Sequence, residues 1–370
     1  MNVRNLLLTA LVASMALVSC DKSENEMGDP NQGTQSKSVT IKLANVQAPQ
    51  SATRGQQAPV SGSAKLNNFT IFFVDGAGNF YEGYAASDVT RKTALARTYT
   101  STDAIPTFHY LNSAVTKVIV VGNPAWTTEP ANEEALYDVT AAIADQQNVD
   151  NLILVGDAQL AKKNTPEEEV PSHTEVYTAN VSILPLVARL EIGAFEYALT
   201  SEEGATRNYA SLTLNQLAVN NYYGSSDYEN NVTDAVITSI SSSSVWPYLE
   251  GLTAGWYTDG ITSIVLNADN EYKYNNETQV FAYNVFPTQV PQVILGLSGT
   301  KADGSTSALY LATNGLHGAD AFQAGYVYRM NATSPFIFTD DDLSNPDKCV
   351  EMTVSVEPWT VVAVTPDFNN

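Results

Sequence analysis

The chain has 370 residues and carries 40 acidic against 18 basic residues, a net charge of −22. This excess of negative charge disfavours nucleic acid and anionic membrane surfaces as partners, because both repel an acidic protein. Two cysteines are too few for a disulfide framework, so the fold must depend on a hydrophobic core. At this length the core is most naturally divided between two domains.

The first twenty residues, MNVRNLLLTALVASMALVSC, predict a secretory signal peptide over residues 1–19. Arg4 precedes an apolar run from Leu6 to Val18, which is too short for a membrane-spanning helix. The ending LVSC resembles a bacterial lipobox, and this resemblance implies cleavage before Cys20 and acylation of Cys20. The polar segment that follows cannot bury enough apolar surface to fold, so it is interpreted as a tether.

The stretch SVTIKLA, residues 38–44, predicts a strand with one buried face. Val39, Ile41 and Leu43 alternate with polar residues, which matches the two-residue period of a strand. A polar, proline-containing stretch follows and is predicted to be exposed and extended.

That polar stretch contains Arg54, the only basic residue between Lys42 and Lys65. A protease specific for basic residues would therefore find one target there, the bond between Arg54 and Gly55. The alternative is an ordinary solvated arginine at the surface.

The rest of the chain predicts many strands and one helix. A Gly-rich turn in NNFTIFFVDGAGNFYEGY indicates a β-hairpin. Residues 129–149 place Leu136, Val139 and Ile143 at helical spacing, with acidic residues in the first turn. A charged loop over 161–175 precedes a second series of strands. We predict two tandem β-sandwich domains, at 55–180 and 181–370, with a boundary near residue 180.

The C-terminal tail, CVEMTVSVEPWTVVAVTPDFNN, alternates apolar and polar residues up to Pro358. Residues 350–357 are interpreted as an ordinary last strand of the second domain. Beyond Pro358, Trp359, Val361 and Ala363 face one way while Thr360, Val362 and Val364 face the other, and two interpretations of residues 359–366 stay open. This segment is either a further core strand or a strand that pairs with another molecule.

Sequence motifs for catalysis or metal binding are not apparent. The histidines His109, His173 and His317 lie far apart and form no ligand-spaced pair. Asp340 and Asp342 in TDDDLSNPD lack the glycine and glutamate of a helical calcium loop, so a solvated turn is the preferred interpretation. We therefore expect a protein that is not an enzyme and that uses no cofactor and no metal.

The order of these features resembles the fimbrillins, the subunits of type V pili of Bacteroidales. The resemblance is carried by LVSC, SATRG, LVARLEI and VSVEPWTVV, and it covers nearly the whole chain. It implies an all-β fold of two tandem transthyretin-like β-sandwiches with one short helix. It also implies an outer-membrane lipoprotein that becomes part of a cell-surface fimbrium and supports adhesion.

The same resemblance implies how such a subunit would assemble. An arginine-specific surface protease would cut between Arg54 and Gly55, so that residues 20–54 act as a tether and a removable propeptide. The departing strand would open a groove, which a strand from another copy or a related pilin would fill. Val39, Ile41 and Leu43 would leave with the propeptide. The donor residues would be Trp359, Val361, Val362, Ala363 and Val364.

Two other interpretations fit the same sequence. An accessory or tip pilin would share these features but would need no donor tail. A surface lipoprotein that binds glycans would present exposed aromatic side chains, for which Trp126, Trp246 and Trp256 are candidates, although tryptophan is more often packed in a core.

Overall fold

A computed structural model of the protein describes residues 36–44, 55–57, 64–84, 94–101, 103–163, 174–235, 257–317, 321–344, 350–353, 355–358 and 361–363. All of these residues fall within one compact unit, 33–370. The described part consists mostly of strands with a few short helices, which confirms the all-β prediction. Among the described residues, no helix is long and apolar enough to span a membrane.

The first half of the chain forms two main sheets. Its strands are β1 (Ser36–Ala44), β2 (Gly55–Gln57), β3 (Ala64–Leu66), β4 (Asn68–Asp75), β5 (Phe80–Tyr81), β6 (Thr98–Thr100), β7 (Phe108–Leu111), β8 (Val115–Gly122), β9 (Thr140–Ala142), β10 (Leu154–Gln159), β11 (Ala161–Lys162), β12 (Thr174–Ser182) and β13 (Leu184–Pro185). One sheet has the order β11-β12-β1-β7. The other has the order β13-β10-β8-β4-β5, with β6 also paired to β4.

The second half forms three main sheets, one of which also includes β2 of the first half. Its strands are β14 (Ala188–Ile192), β15 (Ala194–Tyr197), β16 (Ser211–Asn220), β17 (Tyr223–Asp227), β18 (Val232–Ala235), β19 (Tyr257–Asn267), β20 (Lys273–Asn275), β21 (Val280–Val285), β22 (Gln292–Thr300), β23 (Thr306–His317), β24 (Tyr326–Met330), β25 (Phe336–Phe338), β26 (Val350–Thr353), β27 (Ser355–Pro358) and β28 (Val361–Ala363). Their sheets have the orders β2-β21-β14-β24-β27, β19-β16-β22-β23-β26 and β20-β15-β25. Two smaller sheets are β18-β17-β9 and β28-β3.

The pairing within sheets changes from the first half to the second between β13 and β14. Strand β13, which ends at Pro185, pairs with β10 of the first half, whereas β14, which begins at Ala188, pairs with β21 and β24 of the second half. The division into two domains near residue 180 stays a prediction, because several strands also connect the two halves.

Strand β4 is buried along its length after Asn68 because both of its faces are covered. On one face the Phe73 ring meets the Phe108 ring of β7 edge-on, with centroids 4.7 Å apart. On the other face Phe72 contacts Phe80 at 4.5 Å and Trp126 at 5.9 Å between centroids. The predicted hairpin is confirmed, since β4 pairs with β5 antiparallel.

The helix predicted within 129–149 is present but shorter than its periodicity indicates. Helix α1 (Glu133–Tyr137) begins after Asn132, whose side chain accepts a hydrogen bond from the Ala135 backbone N–H at 2.8 Å, and Asp138 is its C-cap residue. Strand β9 follows because Thr140–Ala142 pairs with β17, and residues 143–146 form a 3₁₀ turn. Long-range sheet pairing therefore overrides the local helical pattern.

A second short helix, α2 (Asp340–Ser344), replaces the solvated turn expected in TDDDLSNPD. Asp340 accepts hydrogen bonds from the Tyr197 hydroxyl and from the Asn208 backbone N–H. Asp342 accepts from the Thr339 backbone N–H at 2.7 Å and from its hydroxyl at 2.8 Å. Both carboxylates are buried and serve the fold.

Candidate functional site

The N-terminal strand β1 lies between two strands that come much later in the chain. It pairs parallel with β12 along its full length, from Ser36 opposite Thr174 to Ala44 opposite Ser182. On its other side it pairs antiparallel with β7. A strand hydrogen-bonded on both sides leaves an open groove when it is taken away.

The predicted alternation of β1 agrees with the burial of its side chains. Val39 is fully buried, Ile41 is 4% exposed and Leu43 is half-buried, so all three pack against the core. Lys42 lies on the opposite face and is exposed. Burial of each aliphatic side chain stabilises the folded chain by about 1.5–3 kcal/mol. This stabilisation is lost for each of the three side chains when β1 leaves its groove.

The opposite face of β1 is polar and makes specific contacts with β7 and with the residue that precedes β7. The Ser38 hydroxyl lies 2.9 Å from the His109 ring nitrogen Nδ1. The Thr40 hydroxyl lies 3.4 Å from the Thr107 hydroxyl. These contacts give β1 a defined register in addition to its apolar packing.

Arg54 lies outside the described residues, but Gly55 begins strand β2. Gly55 is paired with Ala282 and Gln57 with Val280, at the edge of a second-half sheet. The bond predicted to be cut therefore adjoins a three-residue edge strand. A protease that requires an extended, unpaired substrate would have to open the first pair of β2, which an edge strand of this length allows at low cost.

The tail divides into three short strands. Strand β26 pairs parallel with β23, while β27 pairs antiparallel with β24 up to Pro358 opposite Tyr326. Residues 350–353 and 355–358 are thus strands of the second half, in agreement with their interpretation as ordinary strands. They join two different sheets instead of forming one continuous strand.

Beyond Pro358 the tail crosses back to the first half of the chain. In β28, Val361 is opposite Ala64, Val362 is opposite Lys65 and Ala363 is opposite Leu66, all in parallel register. The tail is thus joined to β3 through three residue pairs. The sequence did not indicate this pairing, because β3 has only three residues and no pattern that identifies its partner.

Several other residues singled out by the sequence lie outside the described residues. They are Cys20, Trp246, Trp256, Trp359 and Val364. Trp126 is described, and its ring packs against Phe72 and Tyr228, so it is part of the core boundary and not an open platform for a sugar. Among the described residues no cluster of His, Cys, Asp or Glu has the arrangement of a metal site.

Sequence reasoning missed a buried ionic cluster in the segment LVARLEI. Arg189 donates from Nε to Glu191 at 2.8 Å, and Arg329 on the neighbouring strand β24 donates from Nε to the second oxygen of Glu191 at 2.7 Å. Burial lowers the pKa of Arg189, and the adjacent Glu191 carboxylate opposes that shift. The sequence did contain one signal for this cluster. Arg189 and Glu191 stand two positions apart in an apolar strand, so both side chains point to the same face and can pair.

The two halves are joined by a buried pair of amide side chains. Gln147, just after the 3₁₀ turn, donates to the Asn284 backbone carbonyl at 2.8 Å and accepts from the Asn284 backbone N–H at 3.2 Å. Asn284 in turn donates from its side chain to the Gln146 backbone carbonyl at 2.7 Å. This network fixes the first half against β21 of the second half.

Comparison with solved structures finds a similar fold in a protein of low sequence identity. The chain is similar to a candidate cell adhesion protein from Bacteroides eggerthii, with 15% identity and a TM-score of 0.51 over 91% of this chain and 100% of that chain. It is also similar to a fimbrilin from Porphyromonas gingivalis, with 13% identity and a TM-score of 0.48 over 89% and 99% of the two chains. No family model and no curated protein sequence matches the chain.

Proposed function

We propose that this protein is a structural subunit of a cell-surface fimbrium. In this proposal it is exported as a lipoprotein through Cys20, trimmed between Arg54 and Gly55, and polymerised by strand exchange. The observation that carries the proposal is the position of β1, an inner strand that the chain supplies from its N-terminus, just ahead of the polar stretch containing Arg54.

The pairing of β1 supports its role as a removable strand. Its two neighbours, β7 and β12, belong to the part of the chain that follows Arg54, so they would remain after trimming. Before the cut, the linker holds β1 at an effective concentration of about millimolar, which a strand from another molecule does not easily exceed. Cutting removes that advantage.

The tail supports the other half of the proposal. A strand added to an open groove gains main-chain hydrogen bonds, while alternate side chains fill its pockets. At strand spacing, Trp359, Val361 and Ala363 fall on one face, as Val39, Ile41 and Leu43 do in β1, and the only described pairing beyond Pro358 is the three-residue contact of β28 with β3. The proposed donor is therefore the segment around Val361, Val362, Ala363 and Val364, together with Trp359.

Arg54→Ala is expected to block trimming and to exclude the subunit from filaments. The protein should stay a folded monomer with residues 38–46 attached, because its own β1 continues to occupy the groove. Mass spectrometry of the surface protein and electron microscopy of sheared filaments measure the two effects. Lys42→Ala is the matched control, since it removes another basic side chain of the same propeptide and should leave trimming at Arg54 intact.

The proposed mechanism predicts a different result from each alternative. Filaments built from Arg54→Ala subunits that still carry residues 38–46 would contradict it. Normal trimming of the wild-type chain without any polymer would instead favour an accessory role or a non-fimbrial surface lipoprotein.

A chain that ends at Pro358 is expected to fold and to be trimmed, but not to extend a filament. It keeps β26 and β27 and loses only the three paired residues of β28, so the free energy of unfolding should change by no more than about 2 kcal/mol. Denaturant unfolding and a polymerisation assay test the two parts separately. Global unfolding of the shortened chain would identify the tail as an ordinary core strand.

A further inference from the structure

Lys37, near the start of β1, reaches from its own sheet to the other sheet of the first half. Its Nζ donates to the Val115 backbone carbonyl on β8 at 2.6 Å. The same Nζ lies 4.9 Å from the centroid of the Tyr177 ring on β12. Glu175, the residue directly opposite Lys37 on β12, supplies a carboxylate beside them. A carbonyl, an aromatic face and a carboxylate are each favourable surroundings for a cation.

These groups are themselves held in place by β8 and β12. The Tyr177 hydroxyl donates to Glu175 at 2.6 Å, and Lys162 on β11 forms an ion pair with the other oxygen of Glu175. Hydrogen bonds from Lys162 and Tyr177 lower the pKa of the Glu175 carboxyl, which keeps it ionised. Partial burial lowers the pKa of Lys37, and the Glu175 carboxylate opposes that shift. The site is thus preorganised around a partly desolvated ammonium group.

All of the surrounding groups belong to the part of the chain that follows Arg54, whereas Lys37 precedes it. We infer that Val115, Tyr177 and Glu175 form a recognition site for one basic side chain, which sets the register of whatever strand occupies the β1 groove. The partner that fits this surface is a strand with Lys or Arg at the position of Lys37, followed by alternating aliphatic residues. The role of the site toward incoming strands rests on the proposed function.

The chain's own tail does not provide this basic residue. Residues 359–370 contain no Lys, Arg or His, so a tail that enters the groove leaves the site without a cation from the donor segment. The strand of the uncut chain therefore has a contact that its competitor lacks. This difference keeps exchange from preceding the cut, and it gives a related pilin with a basic residue in its donor strand an advantage over this chain's tail.

The first experiment uses the uncut chain and measures backbone amide hydrogen exchange in residues 36–44. Lys37→Met should speed exchange of these amides about tenfold, because loss of a charge-assisted hydrogen bond and a cation–π contact favours opening of the strand. Lys42→Met is the matched control on the exposed face of the same strand and should stay within about twofold of wild type. Lys37→Arg should restore slow exchange.

Equal exchange in Lys37→Met and wild type would overturn the inference. Tyr177→Leu tests the same site from the side of the groove, and it should also accelerate exchange in β1 if Lys37 is anchored there. An effect of Lys42→Met as large as that of Lys37→Met would mean that general charge, and not this site, holds the strand.

The second experiment asks whether the groove distinguishes incoming strands. The chain is cut after Arg54 and incubated with a labelled peptide of residues 36–44, either unchanged or carrying Lys37→Met. The unchanged peptide should bind about tenfold more tightly. Equal affinity would overturn the recognition role. If the cut chain retains its own β1 and admits neither peptide, the proposed strand exchange fails, while hydrogen exchange still decides whether Lys37 is anchored.

Discussion

Replacing Glu191 by leucine is expected to lower the free energy of unfolding by about 3–5 kcal/mol, because it leaves the buried Arg189 and the mostly buried Arg329 without their carboxylate. Glu191 and Arg189 are 0% and 1% exposed, and Arg329 is 14% exposed. The carboxylate bonds each arginine through a different oxygen, so no single remaining group can replace it. Urea unfolding followed by fluorescence measures the loss.

Glu196→Leu is the matched control for this cluster. Glu196 lies on β15, the next strand along the chain, and pairs with Lys273 at 3.5 Å, but both side chains reach solvent. Its removal should cost less than about 1 kcal/mol. A triple change of Arg189 and Arg329 to methionine with Glu191→Leu should recover much of the lost stability. Unfolding midpoints that coincide for Glu191→Leu and Glu196→Leu would contradict the assignment of a buried ionic cluster.

Gly156→Ala is expected to destabilise the fold by about 3 kcal/mol, although it adds only one methyl group. A Cβ at this position of β10 would lie 2.8 Å from the Ser182 carbonyl carbon and 3.0 Å from the Ile183 Cα. Both neighbours are backbone atoms, so the end of β12 would have to move. Because β12 is the parallel partner of β1, faster hydrogen exchange in residues 36–44 should accompany the loss of stability.

Gly76→Ala provides the control for Gly156→Ala. A Cβ added at Gly76 meets nothing within 4 Å, so this change should stay within about 0.5 kcal/mol of wild type. Thermal unfolding of the two variants under identical conditions makes the comparison. Similar melting temperatures would mean that β12 adjusts without cost and that its contact with β10 does not constrain the groove.

Local patterns predicted which segments become strands, but not which strands they join. The alternation of Val39, Ile41 and Leu43 correctly predicts the buried face of β1. Its parallel partner β12 lies about 140 positions later, as the pairing of Ser36 with Thr174 illustrates. Two-residue periodicity identifies a half-buried strand anywhere in the chain, and it carries no information about the sheet to which that strand belongs.

The same limit explains the features that the sequence interpretation missed. Residues 140–142 form a strand instead of continuing the helix because they pair with β17. Arg189 and Glu191 are tolerated inside an apolar strand only because Arg329 lies on the adjacent strand. In each case the deciding contact joins residues that are far apart in the chain, so its effect cannot be read from neighbouring residues.

In the proposed fimbrium, the unequal lengths of the terminal strand pairs would also determine how the polymer responds to mechanical load. A strand in the position of β1 lies parallel to β12 over nine residues, so force along its axis would be shared by all of its backbone hydrogen bonds at once. The three-residue pair of β28 and β3 has far fewer bonds to share the same force. Under tension the short pair of β28 and β3 should separate first. The strand pairing at the β1 groove should then bear the load.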